Sequence, residues 1–228
     1  MPAYLQNQPA NTKTTEPHLQ LRERRWGAVP APLYPPELGF VLDRSGSMAS
    51  LAAEAIAGFN TLISEQRAVS PSALFSLSLF DHEDLLLHDA VPIAQVPPLT
   101  RDSFVPRGGT ALNDAIGAMI TRIGKRAKRQ TRVLVAILTD GMENGSRQYS
   151  RDDLLSMITY RRTTYDWQFV FIGPKDALAY ALSIGIPRSN VVAFNADPAG
   201  LRLIMSRLSK SMRAYQLGDC RYALKLHN

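Results

Sequence analysis

Cysteine is nearly absent: Cys220 is the only one in 228 residues. An intramolecular disulfide framework is therefore excluded, and the usage fits a reducing compartment. Long apolar runs are missing too. No stretch approaches the roughly 18 consecutive apolar residues of a membrane-crossing helix, and the opening segment "MPAYLQNQPANTKTTEPHLQ" lacks the apolar centre of a secretory leader. These absences lead to the expectation of a cytoplasmic protein without membrane association. The histidines, His18, His82, His88 and His227, show no pair at metal-ligand spacing and stand apart in sequence from the motifs described below. No G-x-x-x-x-G-K-[ST] phosphate loop occurs either.

Basic charge is in excess, with a formal net charge of +6. It gathers in "TRIGKRAKRQTR" (121–132) and "LRLIMSRLSKSMR" (201–213). Such patches suit nucleic acid or anionic surfaces. Cations near a helix C-terminus also offset its dipole, and the aromatic interleaving of single-strand binders is missing. Nucleic-acid binding is therefore the lesser reading.

Seven of the fifteen prolines fall in residues 1–36, a stretch with little apolar periodicity. It reads as an extended or disordered arm, with "LQLRERRW" (19–26) as its one alternating segment. From Glu37 onward, strand and helix patterns alternate. Strands are expected at 39–43, 73–81, 85–93, 132–139, 168–172 and 190–195. Helices are expected near 50–65, 110–128, 151–164, 175–184 and 199–216. In the last helix Leu201, Ile204, Met205, Leu208, Met212 and Tyr215 form an apolar stripe, with Ser206, Ser209 and Ser211 assigned to other faces. Asp197 followed by Pro198 is a good helix start. The expected fold is α/β, a Rossmann-like doubly wound three-layer αβα sandwich. Its six-stranded sheet is mostly parallel, and 85–93 is antiparallel because it follows its neighbour after only a few residues. The domain is expected over 37–218, with a tail at 219–228.

Doubly wound sheets bind ligands beyond the carboxyl ends of their strands, where the strand order reverses. Asp43 closes the first strand in "FVLDRSGSMAS", and Asp140 closes another in "RVLVAILTDG". Ser45 and Ser47 follow Asp43 directly, and Thr110 sits between the Gly-rich loop and the helix of "RGGTALNDAI". Two carboxylates and three hydroxyls make an oxygen-only set, which suits Mg²⁺, Mn²⁺ or Ca²⁺ rather than zinc. The plain alternatives are that Thr110 is a helix N-cap, that Asp114 is a first-turn helix anion, and that Glu143 is a loop residue. Asp81 ends the second strand and is expected at the rim, without a ligand role.

D-x-S-x-S at 43–47, the Thr after a Gly-rich loop at 110, and "TDG" at 139–141 together resemble the metal-ion-dependent adhesion site of von Willebrand factor type A domains. The resemblance covers about 37–217, and the small intracellular bacterial or phage branch is the nearer one. It implies that Asp43, Ser45, Ser47, Thr110 and Asp140 are the five metal-site positions. It also implies that a protein partner supplies an Asp or Glu to the open coordination position, and that the C-terminal helix is a candidate switch.

Two other functions stay open on the residues alone: a metal-dependent phosphatase-like hydrolase and a basic nucleic-acid-associated protein. Phosphatases of the haloacid-dehalogenase type need a second Asp two residues after the first, and here that position is Ser45. Binding asks less of the residues. A cation held largely by neutral hydroxyls keeps its appetite for an external carboxylate, so the expectation is a cation-dependent adaptor and not an enzyme.

Overall fold

The computed structural model describes residues 34–218. All of the expected arm except residues 34–36, the segment 19–26 within it and the tail 219–228, with His18, Cys220 and His227, lie outside the described residues. Six strands form one sheet: β1 (Glu37–Asp43), β2 (Leu74–Phe80), β3 (Asp84–Pro92), β4 (Val133–Leu138), β5 (Gln168–Gly173) and β6 (Val191–Ala193). Their spatial order is β3-β2-β1-β4-β5-β6. All pairings are parallel except β2 with β3. The chain winds outward from β1 in one direction and from β4 in the other, so the order reverses between these two strands.

β1 and β4 are buried along their whole length, as expected for strands covered on both faces. Their side chains part by the two-residue period of a strand. Leu134, Ala136 and Leu138 join one core with Phe40, Leu42, Phe75 and Leu77. Val133, Val135 and Ile137 join another with Val41, Phe80, Phe169 and Phe171.

The helices are α1 (Ala52–Arg67), α2 (Leu112–Arg126), α3 (Arg151–Tyr165), α4 (Leu178–Ser183) and α5 (Pro198–Gln216). α1 and α5 bring Phe59, Leu62, Leu201 and Leu208 to the first core. α2, α3 and α4 bring Ile116, Met119, Ile158 and Ala181 to the second. This is the three-layer αβα sandwich expected from the pattern. Gly39 allows the close approach of α2 to β1, because a Cβ there would stand 3.0 Å from the Ile123 side chain and 3.2 Å from Met119 Sδ.

α5 starts as the sequence suggests: Asp197 accepts a hydrogen bond from the Gly200 N–H at 2.7 Å, and Pro198 occupies the first turn. One expectation about this helix is corrected. Ser206 is exposed, but Ser209 and Ser211 are buried with the apolar stripe. Ser209 is tolerated there because Gln66 of α1 donates to both its carbonyl (2.9 Å) and its hydroxyl (2.8 Å). Gln216 in turn donates to Gln66 Oε1 at 2.6 Å, and the Tyr215 hydroxyl donates to the Val133 carbonyl at 3.0 Å. A polar clamp thus fixes α5 against α1 and the start of β4.

Elsewhere the departures are at element ends. The helix expected near 50–65 is preceded by a 3-10 turn at Gly46–Leu51, that expected near 175–184 begins as a 3-10 turn, and β6 spans only Val191–Ala193. No helix among the described residues is long and apolar enough to cross a membrane. Within the basic stretch 121–132, Arg122 pairs with Asp84 at 2.7 Å, and Arg126 pairs with Glu37 and Asp89, both at 2.8 Å. Part of that cluster therefore serves the fold.

Candidate metal centre

Register places the two strand-end carboxylates together. Leu42 of β1 lies opposite Leu138 of β4, so Asp43 emerges beside Thr139 and Asp140 follows one residue on. The Thr139 hydroxyl donates to Asp43 Oδ2 at 2.5 Å, and the Ser45 N–H donates to Asp43 Oδ1 at 2.6 Å. Thr139 is held in turn by the Gly141 N–H at 3.1 Å. From Ser45 a hydroxyl chain crosses to the second strand: Ser45 Oγ lies 3.1 Å from Ser47 Oγ, and the Ser47 hydroxyl donates to Asp140 Oδ1 at 2.7 Å.

Thr110 approaches from the third segment. A Cβ placed on Gly141 would stand 3.5 Å from Thr110 Oγ1, which puts that hydroxyl beside the turn that follows Asp140. The structure therefore gathers Asp43, Ser45, Ser47, Thr110 and Asp140 at one mouth of the sheet. Thr110 is not the N-cap of α2; that position is Ala111. Ser45 precedes the 3-10 turn without capping it through its side chain. Neither hydroxyl is consumed by the local structure that would have been its plainest explanation.

The electrostatics are unbalanced at this mouth. Asp43 is fully buried, and burial pushes its carboxyl up to about 6, against the hydrogen bonds from Thr139 and Ser45, while the charge of Asp140 adds a smaller push. Burial also raises Asp140, opposed by the Ser47 hydroxyl. Among the described residues neither carboxylate has an ion-pair partner. Two under-compensated carboxylates beside three hydroxyls are the donor chemistry of a hard divalent cation, so the residues present fit Mg²⁺, Mn²⁺ or Ca²⁺.

Asp81 is the informative contrast, and its expected place at the rim is corrected: it is completely buried. Arg44 Nε stands 3.0 Å and Arg107 Nε 2.9 Å from its Oδ2. Its Oδ1 receives the Glu83 N–H at 2.8 Å and faces His82 Nδ1 at 3.1 Å. The ligand atoms of Asp81, His82 and Glu83 do lie within 4.8 Å of one another. Two guanidiniums already neutralise the cluster, however, since Arg107 also holds Glu83 at 2.7 Å. Its work is structural: the Asp81 carbonyl accepts from the Ala111 N–H at 2.6 Å, and the Arg107 N–H bonds the Arg44 carbonyl at 2.9 Å. The loop carrying Thr110 is thereby tied to the turn carrying Ser45. Gly108 completes the tie with φ 65°, a conformation that favours glycine, and His82 packs where a Cβ would be. His82 is remote from the motifs in sequence yet adjacent to them in space.

Asp114 and Glu143 do more than their plain readings. The Asp114 carboxylate accepts from the N–H groups of Arg147, Gln148 and Tyr149, each at 2.8 Å. Glu143 accepts from the Asn113 N–H at 2.8 Å and so caps α2 from the loop after Asp140. Thr139, Arg44 and Asn144 were not singled out from sequence. Thr139 had one available signal, its place inside "TDG"; the others are recognisable only through their partners. Arg44 also lines a groove of about 410 Å³ with Glu83, Asp84, Leu85, Val105 and Arg107.

No protein-family model and no curated protein matches the sequence. Solved structures do match. A von Willebrand factor type A protein from Catenulispora acidiphila is similar at TM-score 0.55 and 17% identity, over 81% of this chain and 43% of that one. The ArnB paralog VWA2 from Sulfolobus acidocaldarius is similar at TM-score 0.56 and 21% identity, over 78% and 46%. The manganese-loaded TRAP protein of Plasmodium vivax is similar at TM-score 0.52 and 17% identity, over 74% and 70%. The match spans less than half of the first two solved chains. At these identities the likeness is one of fold, and the fold is that of a von Willebrand factor type A domain.

Proposed function

We propose that this chain is a divalent-cation-dependent protein-interaction module, in which Asp43, Ser45, Ser47, Thr110 and Asp140 hold Mg²⁺, with Mn²⁺ or Ca²⁺ as alternatives. The observation that carries the reading is the contrast between three strand-end aspartates. Asp81 has two arginines, whereas Asp43 and Asp140 have hydroxyls and no cation. Burying the Asp43 carboxylate beside a half-buried Asp140 without a counter-charge is costly, and a bound cation removes that cost.

Each residue contributes a definite part. Asp43 and Asp140 supply the negative charge, Ser45 and Ser47 span the gap between their strands, and Thr110 brings a neutral oxygen from the third segment. Thr139 orients Asp43 through the hydroxyl bond at 2.5 Å. Two charges against a divalent ion, with neutral groups completing the set, leave the ion able to accept one more anionic oxygen. When bound, the cation supplies a hard Lewis acid for an Asp or Glu side chain of a partner protein. A hydrolase of the two-aspartate kind would need an acid at position 45, and Ser45 is engaged there with Ser47 at 3.1 Å. The chain acts in this reading as a non-catalytic adaptor within an intracellular, cytoplasmic multiprotein system.

The test is a pull-down from the native host with wild-type and Asp43→Ala baits, each with Mg²⁺ and with chelator, alongside calorimetric titration of Mg²⁺ into chelated protein. Partners retained only by wild type with Mg²⁺, and a single Mg²⁺ site lost in the variant, are expected. Equal Mg²⁺ binding by both proteins overturns the assignment.

A further inference from the structure

We propose that Glu143 is a positioning residue that fixes the separation of Thr110 and Asp140, and through it the size of cation the site accepts. The inference rests on the metal reading above and adds to it the control of ion selectivity.

Thr110 and Asp140 come from different segments and share no strand register. What spans them is a clasp between the loop after Asp140 and the first turns of α2. Glu143 stands three residues after Asp140, and its two carboxylate oxygens divide the work. Oε1 accepts from the N–H groups of Gly145 (2.9 Å) and Ser146 (2.8 Å), closing a turn within the loop. Oε2 accepts from the Asn113 N–H (2.8 Å) and the Ser146 hydroxyl (2.7 Å), joining that turn to α2 three residues after Thr110. Asn144 continues the clasp: its Oδ1 accepts from the Thr110 N–H at 2.8 Å, and its own N–H donates to the Thr110 carbonyl at 3.0 Å. Ser146 Oγ accepts from the Asp114 N–H at 3.1 Å, and Asp114 returns three acceptor contacts to residues 147–149.

Asn144 thus holds Thr110 through both its N–H and its carbonyl, and the neighbouring Glu143 is locked to α2. Mg²⁺ demands near-ideal octahedral geometry at about 2.0–2.1 Å, whereas Ca²⁺ accepts looser arrangements at about 2.3–2.6 Å. Fixing two donors from separate segments therefore matters far more for Mg²⁺. Groups that orient metal ligands typically change affinity about 10- to 100-fold when lost.

Glu143→Gln separates the two halves of the clasp. An amide placed with its oxygen at the Oε1 position keeps the Gly145 and Ser146 N–H bonds. Its NH₂ then lies at the Oε2 position, where it donates to the Ser146 hydroxyl but faces the Asn113 N–H donor to donor. The loop turn survives and the tie to α2 is lost. Asn144→Ala is the second variant, removing the side-chain bond to Thr110 while leaving Glu143 in place.

The experiment measures Kd for Mg²⁺ and for Ca²⁺ separately, by calorimetry on chelated full-length protein, in wild type, Glu143→Gln and Asn144→Ala. Thermal unfolding in chelator is followed in parallel. In both variants the Mg²⁺ affinity is expected to fall about tenfold and the Ca²⁺ affinity by less than about threefold. General destabilisation would not by itself move that ratio. An unchanged Mg²⁺ to Ca²⁺ ratio in the folded variants overturns the positioning role and leaves the metal site standing. Failure of wild type to bind either cation overturns the metal reading and this inference with it.

Discussion

Replacing Asp43 by Asn should make the metal-free protein more stable at neutral pH while abolishing its response to Mg²⁺. Burial raises the Asp43 carboxyl from its ordinary 3.8 to about 6. Each unit corresponds to about 1.4 kcal/mol of preference for the protonated form in the folded state, so the ionised group opposes folding by about 3 kcal/mol. The side chain is 0% exposed, so solvent screening gives little relief. Because the folded state holds this proton more tightly than the unfolded chain, the contribution of Asp43 to metal-free stability falls as pH rises from 3.8 to about 6 and is level above that. Asn keeps an acceptor for the Ser45 N–H and turns its amide toward Thr139, whose hydroxyl can donate instead to the Gly141 carbonyl, already 3.2 Å away. The hydrogen bonds survive and the charge does not.

Urea unfolding in chelator at pH 7.5 should therefore show Asp43→Asn more stable than wild type by about 1–3 kcal/mol, with the difference shrinking toward pH 4. Mg²⁺ at about 100 times its Kd should add about 2.7 kcal/mol to wild type and nothing to the variant. A variant that is less stable in chelator at every pH would mark Asp43 as a structural anchor. One that still gains stability from Mg²⁺ would remove it from the ligand set.

Thr110→Ala should weaken Mg²⁺ binding in calorimetry while changing chelated stability by about 1 kcal/mol or less, since the hydroxyl is not a cap. Phe171→Ala should do the reverse, costing about 3–5 kcal/mol in urea unfolding with Mg²⁺ affinity retained. Asp81→Asn leaves the buried Arg44 guanidinium without its anion and should cost about 3–5 kcal/mol, and a neutral result in urea unfolding would contradict the role given to that carboxylate. The clamp of Gln66, Ser209, Gln216 and Tyr215 should hold α5 static, so hydrogen exchange over 198–216 should be the same with Mg²⁺ alone and with Mg²⁺ plus an acidic peptide. Deprotection only with the peptide would show a helix that moves.

The architecture was legible because strand and helix announce themselves by period. "RVLVAILT" can bury both faces only as an inner strand, and the short link between 80 and 84 forces β3 back along β2. The order of five oxygen-bearing residues at strand ends and loop starts was legible for the same reason: position along an element follows from the pattern. What the pattern did not reveal was which side chains meet across long sequence separations. Ser209 looked solvent-facing until Gln66, 143 residues away in sequence, came to meet it. Glu143 looked like a loop residue because nothing local reveals that its carboxylate caps a helix 30 residues earlier.

The surroundings of each strand-end carboxylate separate the proposed site from the scaffold. Asp43, Asp81 and Asp140 are chemically identical, and each stands at or just beyond the end of a strand running to the same edge of the sheet. Position alone cannot rank them. The ranking comes from what surrounds each charge: Arg44 turns away from its sequence neighbour Asp43 and spends its guanidinium on Asp81, 3.0 Å away. Had Arg44 paired with Asp43, the buried charge would be settled and a cation there would be repelled. Sending that guanidinium to Asp81 stabilises the loop that delivers Thr110 and keeps Asp43 unneutralised. One residue, lying between two of the proposed ligands, thus helps both to build the site and to leave its charge unbalanced. Removing that anchor with Asp81→Asn releases Arg107 and loosens the loop that delivers Thr110, and should therefore lower Mg²⁺ affinity even in whatever fraction of the variant remains folded.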